Sequence, residues 1–83
     1  MLDTQYEEVE KQLNQVFRDV FGDEAIQINE LMTAKDIEGW DSLTHVNLIV
    51  AVEKRFKISI STKDVSALRN VGDFLKLILK KIA

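Results

Sequence analysis

Residues 42–56, Ser-Leu-Thr-His-Val-Asn-Leu-Ile-Val-Ala-Val-Glu-Lys-Arg-Phe, constrain the fold more than any other stretch. On a wheel of about 100° per residue, Leu43, Val46, Leu48, Ile49, Val50, Val52 and Phe56 cover an arc of about 220°. Thr44, Asn47, Ala51, Lys54 and Arg55 form the narrow remaining face. A helix so apolar is expected to be the central one, surrounded by other elements over most of its circumference.

The partners for that burial are legible on either side. Tyr6, Val9, Leu13, Val16, Phe17 and Val20 recur at helical spacing and predict a helix over about residues 4–21. Thr4 and Glu7 form a capping box, acids at Glu7, Glu8 and Glu10 suit its positive end, and Gly22 stops it. Residues 22–41 keep no sustained period, yet contain Ile26, Ile28, Leu31, Met32, Ile37 and Trp40. A loop of this length in a small domain needs packing of its own, so these six are expected to pin it across the bundle ends, with a short turn near Leu31.

After residue 56, Ile58 and Ile60 alternate with Ser59 and Ser61 and suggest a short extended piece. Ser61 and Asp64 mark a short helix through Val65 and Leu68. Asn70 and Asp73 start a last helix with Phe74, Leu75, Ile78 and Ile82 inward and Lys80 and Lys81 at its negative end. The expected fold is all-α: a small four-helix bundle of three longer helices and one short one, with a long loop between the first two helices. Residues 1–83 are read as a single domain.

Composition narrows the function. The 83 residues include no cysteine, which excludes disulfides, thiolate metal sites and thiol catalysis. A domain of this size buries only about 60% of its unfolded surface, leaving little core around which to build a deep enzyme pocket. The longest apolar run, Leu48 to Val52, is far short of the roughly 20 residues of a membrane span. The N-terminus lacks a secretory signal, so a cytoplasmic, monomeric protein is expected. Residues 1–41 carry eleven acids against three bases, and residues 42–83 three acids against eight bases. So acidic a first half repels phosphates and argues against nucleic acid as a partner.

The chemistry lies at Gly39-Trp40-Asp41-Ser42-Leu43, where the loop meets the central helix. A hydroxyl at a helix N-terminus lies beside unpaired N–H groups and the positive end of the dipole, a favourable field for an esterified phosphate. The simpler local reading is that Ser42 or Asp41 merely caps the helix. Trp40 reads as a packed anchor.

Gly-Trp-Asp-Ser-Leu followed by Thr-His-Val-Asn-Leu-Ile-Val-Ala-Val-Glu-Lys-Arg-Phe resembles the Asp-Ser-Leu signature and second helix of acyl carrier proteins. The likeness covers nearly the whole chain in element order. It implies that Ser42 bears a covalent phosphopantetheine arm, transferred from coenzyme A by a separate magnesium-dependent phosphopantetheinyl transferase. The thiol of the arm would hold acyl groups as thioesters for loading and processing enzymes such as synthases and transferases; the chain itself would be no enzyme. Asp41 matches the family's preceding acid and Leu43 its following apolar residue, which contacts partners.

One departure bears on pathway. Carriers of primary fatty-acid synthesis resemble each other in a strongly acidic second helix; here Thr44 and Asn47 are neutral, and Glu53 is followed by Lys54 and Arg55. This, with Trp40, points to a specialised pathway (polyketide, non-ribosomal peptide hybrid or another dedicated acyl transfer), the alternative being fatty-acid synthesis. Thr44, Asn47, Lys54 and Arg55 are the candidate partner-discriminating positions.

The rival readings are weaker. A hydrolase built on Ser42 has one histidine, His45, and little framework to orient it with an acid. A metal site lacks thiols, and Asp19, Asp23 and Glu24 do not match an ion-binding loop. A helical interaction module without a prosthetic group is the serious alternative, with Leu77 and Leu79 among its surface candidates.

Overall fold

A computed structural model describes residues 4–82 of the chain, with side chains from residue 5. Four helices follow in order: α1 (Thr4–Phe21), α2 (Ser42–Phe56), α3 (Thr62–Ser66) and α4 (Val71–Ile82). No strand occurs among the described residues; the segment around Ile58 and Ile60 is irregular rather than paired. The Thr4–Glu7 capping box lies outside the described side chains.

The apolar stripe of α1 makes it the hub, packed against both α2 and α4. Leu13 and Phe17 of α1, Leu48 and Val52 of α2, and Val71, Phe74 and Ile78 of α4 are fully enclosed. Burying each such side chain contributes about 1.5–3 kcal/mol, the main stabilisation of a fold without disulfides. Phe17 stands edge-on to both Trp40 and Phe74, at 5.3 and 6.1 Å, and so joins helix, loop and helix.

The expectation for α2 needs correction. Leu48, Ile49 and Val52 are buried, but Leu43, Val46 and Val50 are 73%, 59% and 42% exposed. The helix has α1 along one side. The five-residue α3, with no buried side chain, is too short to cover the other. Three of the seven arc residues therefore face outward as the stripe Leu43–Val46–Val50.

The long loop is held as an element in its own right. Ile26, Ile28, Ile37 and Trp40 are buried and Met32 is half-buried, whereas Leu31 points outward. Polar ties absent from the sequence reading complete the attachment. The buried Asn14 Oδ1 accepts from Ile28 N at 2.8 Å, and Arg18 Nε donates to Ile26 O at 2.8 Å. At the other edge, Val71 N and Gly72 N, at the start of α4, donate to Met32 O and Glu30 O at 2.9 and 3.0 Å. The loop carbonyls thus satisfy amides that a helix start leaves unpaired. Tyr6 donates to Glu30, a bond that pushes the phenol pKa up to about 12. Three turns, closed by Met32 N to Asn29 O, Asp36 N to Thr33 O and Trp40 N to Ile37 O, take up the remaining length; the first spans Leu31.

The helix ends follow their local chemistry. Gly22, at φ 62°, ends α1. Lys57 ends α2 in the same left-handed region at φ 56°, a conformation glycine adopts without cost. Ser61 and Asp64 form the expected capping box of α3, and Asn70 Oδ1 accepts from Asp73 N at 2.9 Å to start α4. Lys81 reaches back to Asp64 at 3.0 Å; that contact, with the Ser61 bonds, holds the Asp64 carboxyl down to about 2.

Candidate functional site

Gly39 takes φ 89°, a conformation that L side chains rarely adopt, and turns the chain from the loop into α2. Its role here is backbone shape more than clearance. The next residue, Trp40, is 9% exposed and lies among Phe17, Phe21 and Phe74. It is the packed anchor that its size suggested, and it fixes the start of α2 against the core.

The capping question resolves in favour of Asp41. Its Oδ1 accepts from Leu43 N and Thr44 N, both at 3.0 Å, and its own N–H donates to Thr44 Oγ1 at 2.8 Å. The Thr44 hydroxyl donates to Gly39 O at 2.6 Å. These bonds to Asp41, those from Thr44 first, lower its carboxyl pKa below the ordinary aspartate value, so it stays ionised beside the helix start. Thr44 is accordingly a half-buried brace, not the exposed recognition position expected of it.

Ser42 follows as the first residue of α2, exposed, and its hydroxyl has no hydrogen-bond partner among the described residues. Asp41 and Thr44 perform the local bracing, so the Ser42 hydroxyl stands at a helix start with no structural task.

His45 makes no hydrogen bond to Ser42. Its Nδ1 accepts from Trp40 Nε1 at 3.0 Å, and the two rings stack at 6.0 Å with an interplanar angle of 20°. Burial lowers its pKa below the ordinary histidine value. With Nδ1 accepting from the indole, the neutral ring carries its proton on Nε2. A hydrolytic pairing is thereby disfavoured by the bond that His45 already makes. Sequence reasoning missed this pair because each residue alone has a commoner role; the spacing of five residues across a helix start was the available signal.

Beyond the junction, Asn47, Lys54 and Arg55 are exposed as expected, with Arg55 Nε 3.3 Å from Gln12 Oε1 of α1. Glu53 is half-buried, its carboxylate accepting from Ile60 N at 2.8 Å. The one acid within α2 is therefore engaged in holding the segment after the helix. Leu77 and Leu79 are half-buried on α4, and Leu79 packs against the core. Among the described residues no helix is long and apolar enough to cross a membrane.

Comparison with known proteins places this geometry. The family model for the phosphopantetheine attachment site matches residues 11–78. An acyl carrier protein of Solidesulfovibrio magneticus is 32% identical over 73 residues, covering 88% of this chain and 94% of the relative. The solution structure of holo acyl carrier protein from Geobacter metallireducens is similar with a TM-score of 0.85 and 40% identity, over 89% of this chain and 85% of that one. The crystal structure of acyl carrier protein from Thermotoga maritima, 21% identical, shares the fold with a TM-score of 0.81 over 99% and 95% of the two chains.

Proposed function

The chain belongs to the acyl carrier protein family, whose members carry phosphopantetheine and are not catalysts, and from that membership we propose that Ser42 bears the arm. The observation that carries the assignment is the division of labour at the start of α2. Asp41 caps the helix, and the exposed Ser42 hydroxyl has no competing bond to give up. Attachment forms a bond from Ser42 Oγ to the phosphorus of coenzyme A nearest the pantetheine; the pyrophosphate P–O bond breaks to release the adenosine bisphosphate, and the hydroxyl proton leaves to solvent or with that product. The attached arm supplies the thiol on which acyl groups are held as thioesters. The residues of this chain position that arm: the loop anchors Trp40, Trp40 fixes the helix start, and Asp41 holds it in shape.

The partners are a phosphopantetheinyl transferase and acyl-loading and acyl-processing enzymes, docking on the outward stripe Leu43–Val46–Val50 and its rim of Asn47 and Lys54. A specialised pathway, rather than primary fatty-acid synthesis, is supported by the character of that face. Past Asp41 its exposed positions are apolar, neutral or basic, and Glu53 is committed to Ile60. A basic partner surface finds no ladder of acids there, so recognition rests on apolar contact. Residues 1–83 act as one carrier domain, and a cytoplasmic setting suits a protein loaded from coenzyme A.

Incubation with coenzyme A, magnesium and a broad-specificity transferase, followed by intact-mass spectrometry, tests the assignment. The expected result is a mass gain of one phosphopantetheine, lost in Ser42→Ala with unchanged helical circular dichroism. Because the Ser42 hydroxyl makes no bond, that variant changes stability by less than about 0.5 kcal/mol. An unmodified wild-type chain, or unfolding of Ser42→Ala, returns Ser42 to a purely structural role and favours the unmodified interaction module.

A further inference from the structure

Beside Ser42 lies an open groove of about 290 Å³, mostly apolar, lined by Ala34, Trp40, Asp41, Ser42 and His45. We propose that this groove, walled by the Trp40–His45 pair, seats the phosphate-proximal part of the arm carried by Ser42; the inference rests on the attachment proposed above.

Three observations converge on that occupant. The attachment hydroxyl is itself part of the groove lining, so a group bonded to it is held at high local concentration, and weak contacts suffice to seat it. The volume lies at the lower limit of small-molecule sites, about 300–1,000 Å³, which suits a segment of the arm rather than the arm with its cargo. The chemistry also matches. One methylene beyond its phosphate the arm has a carbon bearing two methyl groups, followed by a carbon bearing a hydroxyl and then an amide carbonyl. The groove offers ring surface from Trp40 and His45. Of its lining residues, His45 carries a donor, the Nε2–H, that makes no hydrogen bond among the described residues. That donor is fixed on Nε2 because Trp40 Nε1 bonds to Nδ1 at 3.0 Å. The pair thus makes an apolar wall with a single polar point. It keeps the root of the arm against the loop side of α2, away from the outward stripe Leu43–Val46–Val50 on which partners dock.

The test is NMR of the chain loaded from coenzyme A, read on the two arm methyl resonances, with mass spectrometry on the same sample. A seated arm places its methyls against the aromatic walls. They are expected to move upfield and separate from their positions in free coenzyme A, with nuclear Overhauser contacts to the Trp40 indole and the His45 ring. Ala34→Leu fills the groove from the exposed loop and is expected to return the methyls toward their free positions, with circular dichroism unchanged. Loaded wild-type protein whose methyls coincide with those of coenzyme A overturns the seat while leaving the attachment intact. Shifted methyls that persist in Ala34→Leu overturn the assignment to this groove. Failure of the mass to rise removes the attachment itself, and the seat with it.

Discussion

Replacing Asn14 by leucine tests how the loop before Ser42 is held. Asn14 is buried on α1, and its Oδ1 accepts from Ile28 N at 2.8 Å, the contact that fastens the middle of the loop to the helix. Leucine has the same number of side-chain heavy atoms and branches at the same carbon but is the larger residue, so it leaves no cavity, adds some crowding and supplies no acceptor. The Ile28 amide then stays buried without a partner, at a cost of about 1–3 kcal/mol. Leucine returns part of this through its better helix propensity, at most about 0.5 kcal/mol. The balance is destabilising, and each 1 kcal/mol lowers Tm by about 4–8 °C for a domain of this size. Thermal unfolding followed by circular dichroism gives the magnitude. Hydrogen exchange at the Ile28 amide, slow in the parent and faster in the variant, locates it. Asn14→Leu equal to or more stable than the parent, with Ile28 still protected, would falsify the claim that this bond anchors the loop.

Other perturbations follow from single contacts. Lys57→Gly relieves a left-handed residue at φ 56° and is expected to raise stability by about 1 kcal/mol in urea unfolding; no gain refutes strain at that helix end. Gly72→Ala adds a Cβ 3.0 Å from Glu30 O, and overpacking of about 1–3 kcal/mol exceeds the roughly 1 kcal/mol of helix propensity gained. Calorimetry should therefore show a lower Tm, and a higher one means that the loop yields freely. His45, the single histidine, has a native pKa below its ordinary 6.5, so as pH falls past that value the unfolded chain takes up the proton first. Stability should decline below about pH 6.5 and less steeply in His45→Gln, as read from urea midpoints across the range; equal slopes count against His45 as the group responsible.

What the sequence made legible follows from which forces are local. The end of α1, the limits of α2, the start of α3 and the caps at Ser61 and Asn70 are decided by residues within four positions of the backbone they serve, and a linear reading finds them; the end of α3, at Ser66 and not through Leu68, it missed. Trp40 as an anchor was visible from its size, whereas at Ser42 the local pattern favoured a cap and the resemblance alone pointed to attachment. Attachments between distant residues were not visible. Asn14 to Ile28 and Glu30 to Gly72 join positions whose separation carries no pattern, and asparagine inside an apolar stripe reads as an exposed interruption until its partner is known.

The misjudged enclosure of α2 has a different cause, and it bears on function. A helical wheel reports how much of a surface prefers to leave water, not how many neighbours exist to receive it. With α1 on one side and only five residues in α3, the chain has too little secondary structure to cover Leu43, Val46 and Val50. A monomer that needed only to fold would gain solubility from polar residues at these positions at no cost in packing. A carrier that must meet several enzymes in turn gains from keeping them apolar, because each encounter buries them briefly and no internal contact has to break first. The exposed stripe begins at Leu43, the residue after Ser42, so a transferase seated on that stripe lies next to the hydroxyl it would modify. Mutating Val46 and Val50 to serine should therefore slow loading by the transferase, measured as the initial rate of mass gain, while leaving the fold intact. An unchanged rate refutes the stripe as the transferase's docking face.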